Sequence, residues 1–575
     1  MTLVLYVWIA SPHVVYGDNA EFSALSTLGG VAHPTGYPLY VLWLRAWSWL
    51  PVESPAHAAS IATAILTALE VLVLHAACRA WGARPLAATA SVAMLAACPI
   101  VLRIQSEAEV FAMNGLLCGA VLWLAATEGP VRGRWRIALL GLVAGLGMAN
   151  HLTCVLVAPV GLYGVWRGHK EARGSIVITL ALAVTGLVAG LTPYLYLFVA
   201  PDSWVSWRRI DNFAAVFRHI LREDYGGPGA FSPVPHETSA IDNLAALAGS
   251  LGRAYFYVPT LLGLGVLCIL SVRRDRAEPR LAWALLAAAC VLSGPLLVLR
   301  FNIPPIGSAI YIIQRFHLLP ITLLCVPVAV GLDRLVAHYQ ARVPARLHAG
   351  PVAHALLAIV GFLALAMPSL PYVARMHSAA IEQSIRNQLH SLPPNAIIIG
   401  GTDVFHFGLG YLQGALGERR DVAAITTIQL GLSSAREKVR QRTGIEIMNI
   451  PKGSEDKLSV KVAEYALATG RPVFIDPFQA NIAASFPTYP YGLAFRVLPR
   501  GTPRPSILEV FAINKQLYAD FQFGYVFPGP DDQLAAEIHL LYARTWSILG
   551  EGLRMEHHDE ELAFARAMFD ELSPK

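Results

Sequence analysis

Charge is scarce in this chain. Asp, Glu, Lys and Arg make up 14% of its 575 residues, against roughly 25% in an ordinary soluble domain. Together with a hydrophobic content of 55%, that shortage excludes a water-soluble globule for most of the length. Cysteine is scarce too. The few present (Cys78, Cys98, Cys118, Cys154, Cys268, Cys290 and Cys325) all fall in apolar runs, so nothing requires an oxidised scaffold. A concentrated basic patch is also missing. The net charge is only +5, and the basic residues sit in short clusters between apolar runs, a pattern that argues against nucleic acid as the partner.

What is present in quantity is apolar sequence. A span needs roughly 20 apolar residues to cross the hydrocarbon core, and about eleven candidates precede Pro371 on that criterion. They run over 2–16, 55–78, 85–102, 110–127, 136–149, 151–166, 175–199, 255–272, 281–299, 317–336 and 351–370. The stretch 36–50 is apolar but holds Arg45 and three tryptophans, as an interfacial helix would. The expected fold is a polytopic α-helical membrane protein with a C-terminal soluble α/β domain.

Lys and Arg resist translocation, so short basic loops mark the cytoplasmic side. Alternate loops carry Arg79 and Arg84; Arg132, Arg134 and Arg136; Arg167, Lys170 and Arg173; Arg273, Arg274, Arg276 and Arg280; Arg334, Arg342 and Arg346. Placing these loops inside puts the N-terminus in the cytoplasm and everything beyond residue 370 outside. A cleaved signal peptide at 1–17 is the competing reading. It is discounted because its start lacks Lys or Arg and no small-residue cleavage site precedes Asp18.

The polar residues most out of place then gather on the outer side. The first outer loop, 17–54, begins Gly17-Asp18-Asn19-Ala20-Glu21-Phe22 and continues with His33-Pro34-Thr35-Gly36-Tyr37-Pro38. The next outer turns hold Glu107, Glu109 and Asn150-His151. The long loop 200–254 holds His219, Arg222 and Tyr225, and Arg315 follows. Ionisable groups at the end of a greasy bundle are expensive and are read as functional by default. A transferase at a membrane surface needs a carboxylate to take a hydroxyl proton and cations to hold a departing phosphate. Asp18 or Glu21 could be the first, and Arg222, Arg315 and His151 the second.

Each feature has a plainer use. Asp18 could simply cap a helix, Glu107 and Glu109 could be a solvated turn, and two prolines with a glycine suffice to make 33–38 a rigid turn. Asn150-His151 could be a polar hairpin tip. What favours a site is that Asp18, His33, Glu109, His151, Arg222 and Arg315 all fall on one side. Glu70, inside a span with His75 beyond it, is expected to be structural and paired or protonated.

The motif pair Gly17-Asp18-x-Ala20-Glu21-Phe22 and His33-Pro34-Thr35-Gly36-Tyr37-Pro38-Leu39-Tyr40 resembles the signature of the protein O-mannosyl-transferase-like membrane family, also called glycosyltransferase family 117. Further similar motifs are Glu109-Val110-Phe111-x-x-Asn114, Asn150-His151-Leu152-Thr153, His219-Ile220-Leu221-Arg222-x-x-Tyr225, Arg315-Phe316-x-Leu318-x-Pro320, Gly401-Thr402-Asp403-x-Phe405 and Tyr411-Leu412-Gln413-Gly414. Asn19 departs from the pattern, standing where a small hydroxyl residue is more usual.

The resemblance implies a polytopic GT-C fold, which the eleven apolar runs would fill as about eleven transmembrane helices, and a polyprenyl-phosphate-linked sugar, mannose among the candidates, as donor. It implies Asp18 as base or acceptor-orienting group with Glu21 beside it, and Arg315 and His151 near the donor phosphate. His33, Tyr37, Glu109, Asn150, Arg222 and Tyr225 complete the expected substrate-binding set. The acceptor would be a hydroxyl of a protein, glycolipid or glycan on the outer face of a bacterial inner membrane. A divalent cation, Mg²⁺ or Mn²⁺, would suit the phosphate, though the sequence shows no dedicated metal cage and no metal ligands are assigned.

The expected organisation is a transmembrane domain over 1–370, a soluble α/β domain over 371–530 and a helical segment over 531–575. In the second, 396–399 reads as a buried strand, 400–401 as its turn and 404–416 as a helix, with further alternation at 422–427, 460–469 and 472–475. The rival functions are a transporter or flippase for a lipid-linked or anionic substrate, and a non-catalytic scaffold. A transporter should show repeated halves and polar residues at the midplane, and the sequence shows neither.

Overall fold

The computed structural model describes residues 1–227, 240–273, 280–301, 303–342, 351–447, 455–529 and 532–574. Arg274, Arg276 and Arg346 of the basic loops lie outside the described residues. The chain is a helical, multi-pass integral membrane protein. Among the described residues, Pro55–Ala80, Ile176–Val199, Arg280–Phe301, Ala309–Gln340 and Ala358–Ser391 are long and apolar enough to cross a bilayer. The helices Ala240–Ala254 and Val258–Val272 pass together but bend by 107° at their break, giving up to six spans by length and composition against the eleven expected.

The difference has a local cause. Apolarity reports which residues avoid water, whereas a span also needs an unbroken helix. The run 85–102 is split where Cys98 turns extended ahead of Pro99, leaving Pro85–Ala97 and Pro99–Ile104. The run 151–166 opens as a 3₁₀ turn, Leu152–Val157, before the helix Ala158–Ala172. At the start only Thr2–Trp8 is helical, and 110–127 forms the shorter helix Phe111–Ala125.

The helix Ala309–Gln340 is the axis of the bundle: every residue from 317 to 331 is buried. A helix apolar all round belongs in an interior, and this one carries Arg315 toward one end. Elsewhere, Gly141 and Gly145 of the helix Gly133–Asn150 face Gly186 and Gly190 of the helix Ile176–Gly190. A Cβ at any of the four would collide with backbone of the opposite helix, the close approach that small residues at four-residue spacing permit in membranes.

Beyond the helices lies a five-stranded mixed sheet in the order β2-β1-β3-β5-β4. Its strands are β1 (Ile397–Gly400), β2 (Ala423–Thr426), β3 (Val473–Ile475), β4 (Thr488–Tyr491) and β5 (Ala494–Val497). β1 pairs parallel with β2 and β3, while β5 pairs antiparallel with β3 and β4. The strand expected at 396–399 is thus a central one, shifted by one residue so that Gly400 ends it instead of opening the turn, with all four β1 residues buried. The expected helix at 404–416 begins at Asp403 and runs through Leu409 into a wider turn, Gly410–Ala415. The β4–β5 hairpin about Gly492 escaped the pattern because Tyr489, Pro490 and Tyr491 do not alternate as a half-buried strand should. Residues 531–573 supply the helix pair Gln533–Met555 and Asp559–Leu572.

This α/β part is clamped to the membrane part. Lys438 Nζ donates to the carbonyls of Ser203 and Ser206 at 2.8 and 2.7 Å, and the Arg442 guanidinium stands 4.1 Å above the Trp204 ring. Glu382 accepts the Val14 amide at 2.9 Å, tying the helix Ala380–Ser391 to the first loop.

Candidate active site

The first outer loop places its carboxylates by helix geometry. Asp18 precedes the helix Asn19–Leu28, yet its side chain caps no backbone amide. Instead Asp18 Oδ2 accepts from Arg315 Nη1 at 3.0 Å, and the same nitrogen donates to Glu109 Oε1 at 3.1 Å. The Asp18 amide donates to that Glu109 oxygen at 3.3 Å. One guanidinium therefore bridges two carboxylates drawn from loops 91 residues apart. Glu107 and Glu109 are both buried, so the solvated-turn reading fails, and the capping reading of Asp18 fails with it.

Glycine is required beside this bridge. Gly17 has φ +103°, and a Cβ there would lie 2.9 Å from Glu109 Oε1 and 3.2 Å from Arg315 Nη1.

The second motif folds back onto the first. The Gly36 amide donates to the His33 carbonyl at 2.7 Å, so the stretch is a tight turn, and the turn delivers His33 into the site. Glu21 receives the His33 amide at 2.8 Å and Nδ1–H at 2.5 Å. The Tyr37 hydroxyl lies 3.1 Å from His33 Nε2, and Asp18 Oδ2 lies 4.0 Å from it. Glu21 thus stands behind His33 with both oxygens committed, while Asp18 faces a cleft. Tyr37 stacks on His151 at 5.8 Å, and His151 Nδ1 meets the Thr153 hydroxyl at 2.7 Å.

The charges follow from these contacts. Burial opposes ionisation of Asp18, but Arg315, then His33 and His151, hold its carboxyl below the usual range. Burial pushes Glu109 up to about 8 against the pull of Arg315. Burial works against protonated His33, but Glu21 and Asp18 overcome it and raise the ring to about 9. His33 is therefore an imidazolium at neutral pH, with its two N–H groups aimed at Glu21 and Tyr37.

The remaining expected residues fall on two levels. Arg222 sits at φ +57° and lies 5.0 Å over the Tyr225 ring. It makes no ion pair among the described residues, and its positive field reaches His33, Tyr37 and His151. His219 Nε2 donates to the Ala32 carbonyl at 3.0 Å, which holds that loop against the first one. Asn150 is fully buried and donates to the Val110 carbonyl at 3.3 Å, so it clips two helices together and sits one residue behind the site. Glu70, as expected, is paired: Gln105 Nε2 donates to it at 2.8 Å and the Thr322 hydroxyl at 3.2 Å.

The cleft in front of Asp18 holds about 320 Å³. Its membrane-side wall is Tyr16, Gly17, Asp18 and Arg315, and its opposite wall comes from the α/β part through Thr402, Asp403, Asp476 and Glu537. Reading the loops alone missed Asp476 and Glu537, for which no motif signals a role. Asp403 appeared only within the family-like motif Gly401-Thr402-Asp403-x-Phe405, with no role assigned to it.

Among the described residues no group of three or more His, Cys, Asp or Glu side chains gathers to hold a metal ion. Where Asp18 and Glu109 converge, the Arg315 guanidinium already occupies the space between them, so that pair does not fit a divalent cation.

Residues 18–173 match the family model described as the protein O-mannosyl-transferase TMEM260 N-terminal domain. That segment is similar to the domain so named. The chain is 26% identical over 430 residues to the protein O-mannosyl-transferase TMEM260 of Mus musculus, covering 71% of this chain and 59% of that one. It is 25% identical over 288 residues to its namesake in Dictyostelium discoideum, covering 45% and 35%. The chain thus spans under two thirds of the length of these curated relatives. The resemblance read in the motifs is borne out, and the matched segment contains Asp18, Glu21, His33, Tyr37, Glu109 and His151.

Among solved structures, ArnT from Cupriavidus metallidurans bound to undecaprenyl phosphate aligns with TM-score 0.48 and 13% identity, over 88% of this chain and 98% of that one. The oligosaccharyltransferase AglB from Archaeoglobus fulgidus, in complex with an inhibitory peptide and a dolichol-phosphate, aligns with TM-score 0.44 and 11% identity, over 100% and 84%.

Proposed function

We propose that this protein is a GT-C-type membrane glycosyltransferase. It moves a sugar from a polyprenyl-phosphate-linked donor to a hydroxyl of a protein, lipid or glycan acceptor on the outer face. The observation that carries the reading is the bridge Asp18–Arg315–Glu109, whose Asp18 and Arg315 line a cleft and whose Asp18 lies 4.0 Å from the Glu21-paired His33. The names of the relatives, protein O-mannosyl-transferase, support a sugar-transfer chemistry and make mannose the first donor to try.

The reaction is a single displacement at the anomeric carbon. Positive charge builds on the sugar ring and negative charge on the leaving lipid phosphate, so the site must supply cations aimed at the phosphate before reaction begins. Arg222, whose charge no carboxylate among the described residues cancels, is the cation for that task, with His151 and Tyr37 beside it. Arg315 is different: two carboxylates already engage it, so it serves to fix Asp18 and Glu109. Asp18, held low by that guanidinium, orients the acceptor and stabilises charge on the ring. Orientation of this kind turns an encounter into a near-attack geometry.

In this reading the N-terminus is cytoplasmic, and the cleft and α/β part face the periplasm. Membranes carrying Asp18→Ala with Glu21→Ala, supplied with labelled polyprenyl-phosphate mannose, should lose transfer into the acceptor fraction. Undiminished transfer would end the proposal. Mass spectrometry of lipid-linked sugars in a deletion strain should reveal the accumulated donor.

A further inference from the structure

The α/β part meets the cleft with the carboxyl ends of its parallel strands. In open α/β sheets that crevice is where ligands are bound, and here it opens onto Asp18 instead of bulk water. Each polar group at the strand ends has an assignable task except one. Asp476, directly after β3, accepts the Gly401 amide at 3.0 Å and the Phe478 amide at 2.9 Å, so one oxygen holds the turn after β1, the other holds its own turn after β3, and both are committed. Thr402 caps the next helix by accepting the Phe405 amide at 3.1 Å. The residue this turn then presents is Asp403.

Asp403 makes no hydrogen bond and no ion pair among the described residues, and it lines the same cleft as Asp18 and Arg315. Its side chain is exposed, and the surface it is exposed to is the cleft. The contrast with Asp18 is chemical. A carboxylate held by a guanidinium at 3.0 Å has its negative charge engaged and is a weak base. A carboxylate with no partner, facing the place where substrate must sit, is a better one, since general bases work best when their pKa approaches the working pH. The surroundings agree in direction: desolvation beside the cleft walls, then the neighbouring charge of Asp18, raise Asp403 from its ordinary value.

Building on the transferase reading above, we propose that Asp403 is the catalytic base, supplied to the membrane site by the α/β part. The acceptor oxygen forms its bond to the anomeric carbon as its proton passes to the Asp403 carboxylate. The bond from that carbon to the phosphate oxygen breaks, and its electron pair leaves with the lipid phosphate. The acceptor therefore enters from the α/β side of the cleft and is a water-borne hydroxyl compound.

The test uses the full-length protein in nanodiscs. The donor is labelled polyprenyl-phosphate mannose, and the acceptor is the protein and glycan fraction from a deletion strain. Asp403→Asn should lower kcat by 100-fold or more, the usual range for losing a general base being about 10²–10⁴. Binding of polyprenyl phosphate and the thermal melt should stay unchanged. Asp403→Glu should retain measurable turnover with its acidic limb displaced along the pH axis. Should Asp403→Asn fold poorly, the Asp403→Glu pH profile decides: an unmoved acidic limb refutes the assignment. A kcat within a few-fold of the parent, or a change in acceptor KM alone, also refutes it. Failure of the parent protein to transfer sugar from any lipid-phosphate donor would refute the transferase reading itself. Transfer by the parent with undisturbed kcat in Asp403→Asn refutes only the role of Asp403.

Discussion

Replacing Arg315 with alanine tests the electrostatic core of the site. The guanidinium side chain is 13% exposed, and it bridges Glu109, 1% exposed, and Asp18, 27% exposed. Removing one partner of a buried ion pair typically costs about 3–5 kcal/mol, because the other charge stays desolvated and alone. Here the stranded group is chiefly Glu109. It can escape by binding a proton, and burial has already lifted it to about 8 with Arg315 in place. Its folded pKa lies above its unfolded value, so the folded state binds the extra proton and stability falls as pH rises through that window. Without Arg315 the window extends upward. The penalty in Arg315→Ala is therefore expected to be small at pH 6 and to approach the full few kcal/mol by pH 9. Glu109→Gln added to Arg315→Ala should recover much of it, with a coupling in the 0.5–3 kcal/mol range of residues in contact. Thermal melts of the four proteins in detergent at both pH values provide the cycle. A penalty independent of pH, or no coupling with Glu109, would refute the reasoning.

Three further outcomes follow from the same geometry. His33 is raised to about 9 in the fold. Its contribution to stability should be complete below about 6.5, its ordinary value, and vanish as pH rises through 9, and Glu21→Gln should move that loss to lower pH in melts taken across pH 6–10. Gly17→Ala would put a methyl 2.9 Å from Glu109 Oε1 on a backbone at φ +103°. It is expected to cost about 1–3 kcal/mol and to abolish transfer, both readable on one preparation. Lys438→Ala removes two bonds to the Ser203 and Ser206 carbonyls, each a charged hydrogen bond of about 1.5–3 kcal/mol. Hydrogen exchange at amides 203–207 should accelerate while the helix Ala309–Gln340 stays protected.

The composition by itself determined the solvent: a chain with so few charges has to be folded against lipid, and its apolar stretches have to become helices because lipid satisfies no backbone group. The loop motifs likewise marked the candidate site residues, since Asp18, His33, Glu109, His151 and Arg315 stand out as ionisable groups in an apolar background. Pattern could not tell which helices run unbroken, because the breaks at Cys98–Pro99 and at Leu152–Val157 depend on backbone geometry that hydropathy does not register. Nor could it divide the labour among the site residues. That Glu21 spends both oxygens on His33, that one guanidinium spans Asp18 and Glu109, and that Arg222 and Asp403 have no charged partner among the described residues are matters of distance. Such distances exist only once loops hundreds of residues apart have been brought into contact, and the strength of a charge depends on what lies a few ångströms away.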